Sequence, residues 1–107
     1  MTDPLVERLR AQIGGVRDGA LLRFSIGNAQ LGDGLYAEAA TAFREALGFD
    51  PAYSAAWKLL GKALLAMDDE PGAAEAWRQG IATATGRGDM QAAKEMTVFL
   101  NRLSRRG

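Results

Sequence analysis

ALLRFSIGNAQLGDGLYAEAATAFREALGFDPAY at 20–53 and SAAWKLLGKALLAMDDEPGAAEAWRQGIATATGR at 54–87 are one unit written twice. Shifted by 34 residues, Gly27 falls on Gly61, Ala29 on Ala63 and Leu31 on Leu65. Ala39, Ala40, Ala42 and Arg44 then fall on Ala73, Ala74, Ala76 and Arg78, and Phe43 stands opposite Trp77. Self-similarity at such a period marks a stack of helix pairs, each unit burying its apolar face against the next. Within the first unit, Leu21, Leu22, Phe24, Ile26 and Leu31 give one helical stripe, and Ala39, Ala42, Phe43, Ala46 and Leu47 give another. Gly32-Asp33-Gly34 separates them, and Asp50-Pro51 stops the second, because the residue before proline avoids the α region. The second unit repeats the plan with Trp57, Leu60, Leu64 and Leu65, then Ala73, Ala76, Trp77 and Ile81.

Helices are also expected on both flanks. Asp3-Pro4 suits a cap and first helical residue, Leu5, Val6, Leu9 and Ile13 form a stripe, and Gly14-Gly15 ends it. Asp18 is the expected cap of the next helix. The acidic turn Asp68-Asp69-Glu70 suits a helix N-terminus better than a metal. Past Gly86-Arg87-Gly88, Asp89 is expected to cap a last helix with Ala92, Ala93, Met96, Phe99, Leu100 and Leu103 on its apolar face. The expected organisation is one all-α domain: an N-terminal flanking helix at 3–15, repeats at 20–53 and 54–87, and a C-terminal capping helix at 89–105.

Composition narrows the function. The 107-residue chain is 48% hydrophobic with zero formal net charge, and holds neither cysteine nor histidine. Disulfides, thiol nucleophiles, the usual zinc sets and a histidine base are thereby excluded. Carboxylates are scattered over turns and outer faces, and Ser25, Ser54 and Ser104 have no histidine to activate them, so no enzyme is expected. No apolar run approaches the roughly 20 residues of a membrane span, and no signal peptide is read at Met1-Thr2-Asp3-Pro4; a soluble, cytoplasmic protein is the simplest expectation. Met67, Met90 and Met96 read as core or adaptable surface, not as a cofactor box, and no cofactor is expected. Arg87-Gly88-Asp89 reads as a helix break followed by a cap.

These residues resemble the tetratricopeptide repeat (TPR) family, whose pattern is W-x2-L-G-x2-Y followed by alanine, an aromatic, alanine and proline. The second unit supplies Trp57, Leu60, Gly61, Ala73 and Trp77; the first supplies Ile26-Gly27, Ala39, Phe43, Ala46 and Pro51. Arg23 replaces the tryptophan of unit one, Gln30 and Leu64 replace tyrosine, Gly80 replaces the late alanine and Thr85 the proline. The resemblance implies an all-α, right-handed TPR-like solenoid of about six antiparallel helices. It also implies a groove, lined by the first helix of each pair, that takes a peptide or helix of a partner protein. Phe24, Asn28 and Leu31 then face the groove from unit one, and Lys58, Lys62 and Leu65 from unit two.

Lys58 and Lys62, four apart on one helix face, are placed to meet one carboxylate together. The family's clamp on a partner's C-terminal carboxylate is not expected: only Asn28 matches, while Phe24 and Leu59 occupy positions of lysine and asparagine. A monomeric adaptor for an unidentified protein partner is the first expectation, and a homodimer formed through an end helix is the alternative. Nucleic-acid contact through Arg102, Arg105 and Arg106 ranks below both, since the basic tail has no aromatic residues for stacking.

Overall fold

The computed structural model describes residues 4–15 and 18–106. Among them there are six helices and no strand: α1 Pro4–Arg10, α2 Ala20–Gly32, α3 Tyr36–Phe49, α4 Ser54–Ala66, α5 Glu70–Arg87 and α6 Met90–Arg106. Helices α2 and α3 pack as one pair and α4 and α5 as the next; α3 leans on α4, and α6 closes against α5. Helix α4 also touches both α2 and α6, so these three form one layer, with α3 and α5 behind them. The molecule measures 40 × 30 × 18 Å, and its shortest dimension fits two layers of helices.

Close packing within each pair rests on glycine facing an aromatic ring. A Cβ on Gly27 would stand 2.7 Å from the Phe43 ring, and one on Gly61 would stand 2.2 Å from the Trp77 indole. The rings therefore lie over the glycine of their own pair. Trp77 also reaches beyond Gly61: its Nε1 donates to the Lys58 carbonyl (3.1 Å) and its ring meets Phe99 of α6 at 5.5 Å. Gly80, where alanine was expected, sits where Met96 of α6 crosses; a Cβ there would strike the Met96 sulfur at 2.3 Å and Trp57 Cβ at 2.7 Å. Ala39, Ala46, Ala56, Ala63 and Ala73 are fully buried around these rings.

Both inner turns close in the same way. Leu35 N–H donates to Gln30 O, and Gly34 N–H to Leu31 O; one repeat later Asp69 N–H donates to Leu64 O, and Asp68 N–H to Leu65 O. This double bond at a helix end needs a residue in the left-handed region, and Gly34 (φ 77°) and Asp68 (φ 60°) supply it. Gly88 (φ 76°) ends α5 likewise. Because no proline stands at position 85, α5 runs on to Arg87 and has 18 residues against the 14 of α3. The expected caps form at two places, Asp69 accepting from Gly72 N–H (3.0 Å) and Asp89 from Ala92 N–H (3.2 Å).

The N-terminal region differs from expectation. Helix α1 stops at Arg10, and the chain turns through 11–14, with Gly14 at φ 83°. Val6 is buried, but Leu5 and Ile13 are exposed, so the stripe narrows to Val6 and the half-buried Leu9. The Asp3 cap lies outside the described residues. Asp18 caps nothing: α2 starts from Gly19 without a side-chain cap, and Asp18 instead holds Arg23 Nε at 2.8 Å and Gly14 N–H at 3.0 Å. Those two donors, Arg23 foremost, hold the Asp18 carboxyl well below the usual carboxylate range; Asp18 first, and then Glu45, raise the Arg23 guanidinium above its ordinary value in turn.

Candidate functional site

The layer α2–α4–α6 carries the six groove residues expected from sequence, and packing treats them unequally. Phe24 is half-buried: it stacks on Tyr53 (4.9 Å, 22° between planes) and tilts against Phe43 at 5.7 Å. Burial against this cluster, and then the Asp50 charge, raise the Tyr53 hydroxyl above its ordinary value. Leu31 is also half-buried against the main core. Asn28 is exposed on α2, and its amide makes no hydrogen bond to another described side chain or backbone group. An amide so placed can pair with the N–H and C=O of an extended peptide.

On α4 the two lysines are drawn apart. Lys58 Nζ lies 3.5 Å from Glu95 of α6, whereas Lys62 Nζ lies over the Phe99 ring, 4.8 Å from its centre. Their sequence spacing suggested one shared carboxylate; across the seam, each has its own partner on α6. Both pairs are 37 positions apart in the chain, one repeat plus about a turn. One step further along the same register stand Leu65 and Arg102, which line one recess. There the seam opens into a cavity of about 270 Å³ lined by Lys62, Leu65, Phe99, Arg102, Leu103 and Arg106, with Trp77 as its floor.

Sequence reasoning had placed Phe99 and Leu103 on an apolar face and the arginines in a basic tail, without joining them to Lys62 and Leu65. The 37-residue step was the signal that could have joined them, but it becomes visible only when α6 is docked. A larger hollow, about 760 Å³, lies at the other end between α1, α2 and α3. Its charges are of both signs and largely satisfied internally, Arg23 holding Asp18 and also Glu45 (3.0 Å). Buried Gln30 stands where tyrosine was expected, and its amide lies within reach of the Glu38 carbonyl (3.1 Å) and of Arg10 (3.3 Å); turned to satisfy both, it donates to the first and accepts from the second.

Other sequence signals resolve as structure. Arg87 reaches the Ala52 carbonyl and lies 3.9 Å from Asp50, Gly88 turns the chain and Asp89 caps α6. Met96 is fully buried, and Met67 and Met90 are exposed. Among the described residues no cluster of acids could hold a metal, and no helix is long and apolar enough to cross a membrane.

Helix pairs stacked with their first helices in one layer, and with glycine under an aromatic in each pair, define a helical-repeat protein. A TPR repeat-containing protein of Pseudomonas aeruginosa is 48% identical over 101 residues, spanning 94% of this chain and 96% of that protein. The chain belongs to the tetratricopeptide repeat family. A protein of Bordetella parapertussis, solved in solution, is 44% identical and superposes with a TM-score of 0.85 over 98% of this chain and 91% of that one. The crystal structure of MamA shares the fold at 18% identity, with a TM-score of 0.69 over 94% of this chain and 65% of that chain. No family model matches the sequence. Proteins built from such repeats generally mediate protein–protein interaction and are typically non-catalytic scaffolds.

Proposed function

We propose that this protein is a cytoplasmic, monomeric, non-catalytic interaction module that takes a peptide or helix of a partner protein on the face formed by α2, α4 and α6. The repeat units that build this face are 20–53 and 54–87, flanked by end helices. The observation that carries the proposal is the free amide of Asn28 on the same layer as the open seam beyond Lys62. A bound backbone would find a donor and acceptor at one end and an apolar recess at the other. Phe24 and Lys58 serve the scaffold in this reading, since Tyr53 and Glu95 already engage them.

The test is capture of partners from native extract on the parent protein and on an Asn28→Ala/Lys62→Ala variant. Both positions are exposed and only the Lys62 contact with Phe99 is lost, so the variant should stay folded and lose at most about 1 kcal/mol of stability. A protein retained by the parent and lost by the variant supports the groove. Equal retention moves the site elsewhere. A mass that doubles with concentration in light scattering would favour the homodimer instead.

A further inference from the structure

We infer that the α4–α6 end of this face selects an acidic peptide segment carrying one bulky apolar side chain. The inference rests on the groove reading above and adds the chemistry of the partner. Three observations converge on it. The recess is apolar inside, with Leu65, Phe99 and Leu103 as walls and Trp77, only 2% exposed, as floor. At about 270 Å³ it is smaller than the usual small-molecule site and suits one large side chain. Its rim is cationic: Lys62, Arg102 and Arg106 surround it, and no carboxylate lines it.

The charge around this recess is unbalanced, although the whole chain is neutral. Among the described residues Lys62, Arg102 and Arg106 make no ion pair, whereas Lys58, one turn back, is already matched by Glu95. Guanidinium groups meet carboxylates in paired, charge-assisted hydrogen bonds, so glutamates or aspartates flanking an apolar anchor supply what the rim lacks. Nucleic acid fits less well. Binding single strands draws on open aromatic faces, and Phe99 has Lys62 over its ring and Trp77 tilted against it. The site is also separate from the positions of a C-terminal carboxylate clamp, since neither Phe24 nor Leu59 lines it.

The probe is a fluorescein-labelled peptide with a central phenylalanine between glutamates, titrated with the full chain by anisotropy. Its comparators are the same peptide with serine at the centre, one with lysine flanks, and a labelled thymidine oligonucleotide. The acidic phenylalanine peptide should bind at least about tenfold more tightly than each comparator, and its binding should weaken with added salt. Arg102→Ala/Arg106→Ala should weaken it roughly tenfold or more while leaving the melting curve unchanged, because both side chains are exposed.

Equal binding of the lysine-flanked peptide, tighter binding of the oligonucleotide, or indifference to the double variant overturns the inference. So does the absence of binding at millimolar protein. Amide shifts in a nitrogen-15 spectrum keep the two readings apart. Shifts along α2 and α4 without acidic preference leave the groove standing and remove only the peptide chemistry. Shifts confined to α3 and α5 remove both.

Discussion

In the first unit Phe43 lies over Gly27; in the second, Trp77 lies over Gly61 and also donates its indole N–H to the Lys58 carbonyl. The two cores follow one plan, but the second is tighter and tied by a hydrogen bond. The surfaces diverge further. Where unit one has Arg23, held by Asp18 and Glu45, unit two has Trp57, whose Nε1 donates to the Pro51 carbonyl at 2.9 Å. Where unit one half-buries Phe24 and exposes Asn28, unit two places Lys58 and Lys62 against α6. Small residues and ring positions are constrained by helix approach, so they repeat. Outward positions meet a different neighbour in each unit, so they do not.

The largest effect should separate the two glycines. Gly61→Ala should destabilise the fold by about 3 kcal/mol, and Gly27→Ala by about 1–2 kcal/mol, in urea melts. The added Cβ stands closer to Trp77 than to Phe43, and the bond to Lys58 O limits how far the indole can retreat. Equal losses would mean that the hydrogen bond does not pin the ring. Trp77→Phe, which gives unit two the ring of unit one, should cost about 1–2 kcal/mol and make Gly61→Ala less harmful when the two are combined.

A smaller loss, about 1 kcal/mol, is expected for Asp69→Ala, because α5 depends on this cap while α3 starts at Leu35 with no side-chain cap. A refined helix start with unchanged stability would show that Gly72 N–H finds water at no cost. Asp18→Asn tests the ion cluster found only in unit one. The Asp18 carboxyl is held low in the folded state, so its stabilisation is complete above its unfolded pKa of about 4 and is lost as pH falls toward the lowered folded value. The variant should therefore be less stable than the parent at neutral pH, with the gap closing as the solution is acidified. A gap independent of pH would exclude charge as its source. The smallest effect carries the opposite sign: Asp68→Gly should stabilise by roughly 0.5 kcal/mol, since Asp68 holds φ 60° where unit one has Gly34.

The six helices, the repeat register and the buried alanines were legible because each depends on local periodicity and on residue size at a fixed offset. Two expectations failed, one for a local reason and one for a tertiary reason. Asp18 was read as a cap from its position before α2, but Arg23 and the Gly14 N–H compete for its carboxylate. Lys58 and Lys62 were read as a joint site because four-residue spacing aligns them on α4, yet α6 presents an acid to one and a ring to the other. The two lysine pairings depend on the axial register between α4 and α6, which neither helix encodes alone.

The sequence by itself determined the fold family, the helix pairs, the small residues at Gly27 and Gly61 and the turns at Gly34 and Gly88, because these follow from steric limits within about one repeat. It also determined that no histidine or cysteine chemistry is present. Only the tertiary structure decided which side chains remain free to bind. Docking α6 on α4 neutralises Lys58 and covers Phe99, and it gathers Lys62, Arg102 and Arg106 around one apolar recess. Exposure and charge balance belong to surfaces that form when distant segments meet, and the chain has no such surfaces until it folds.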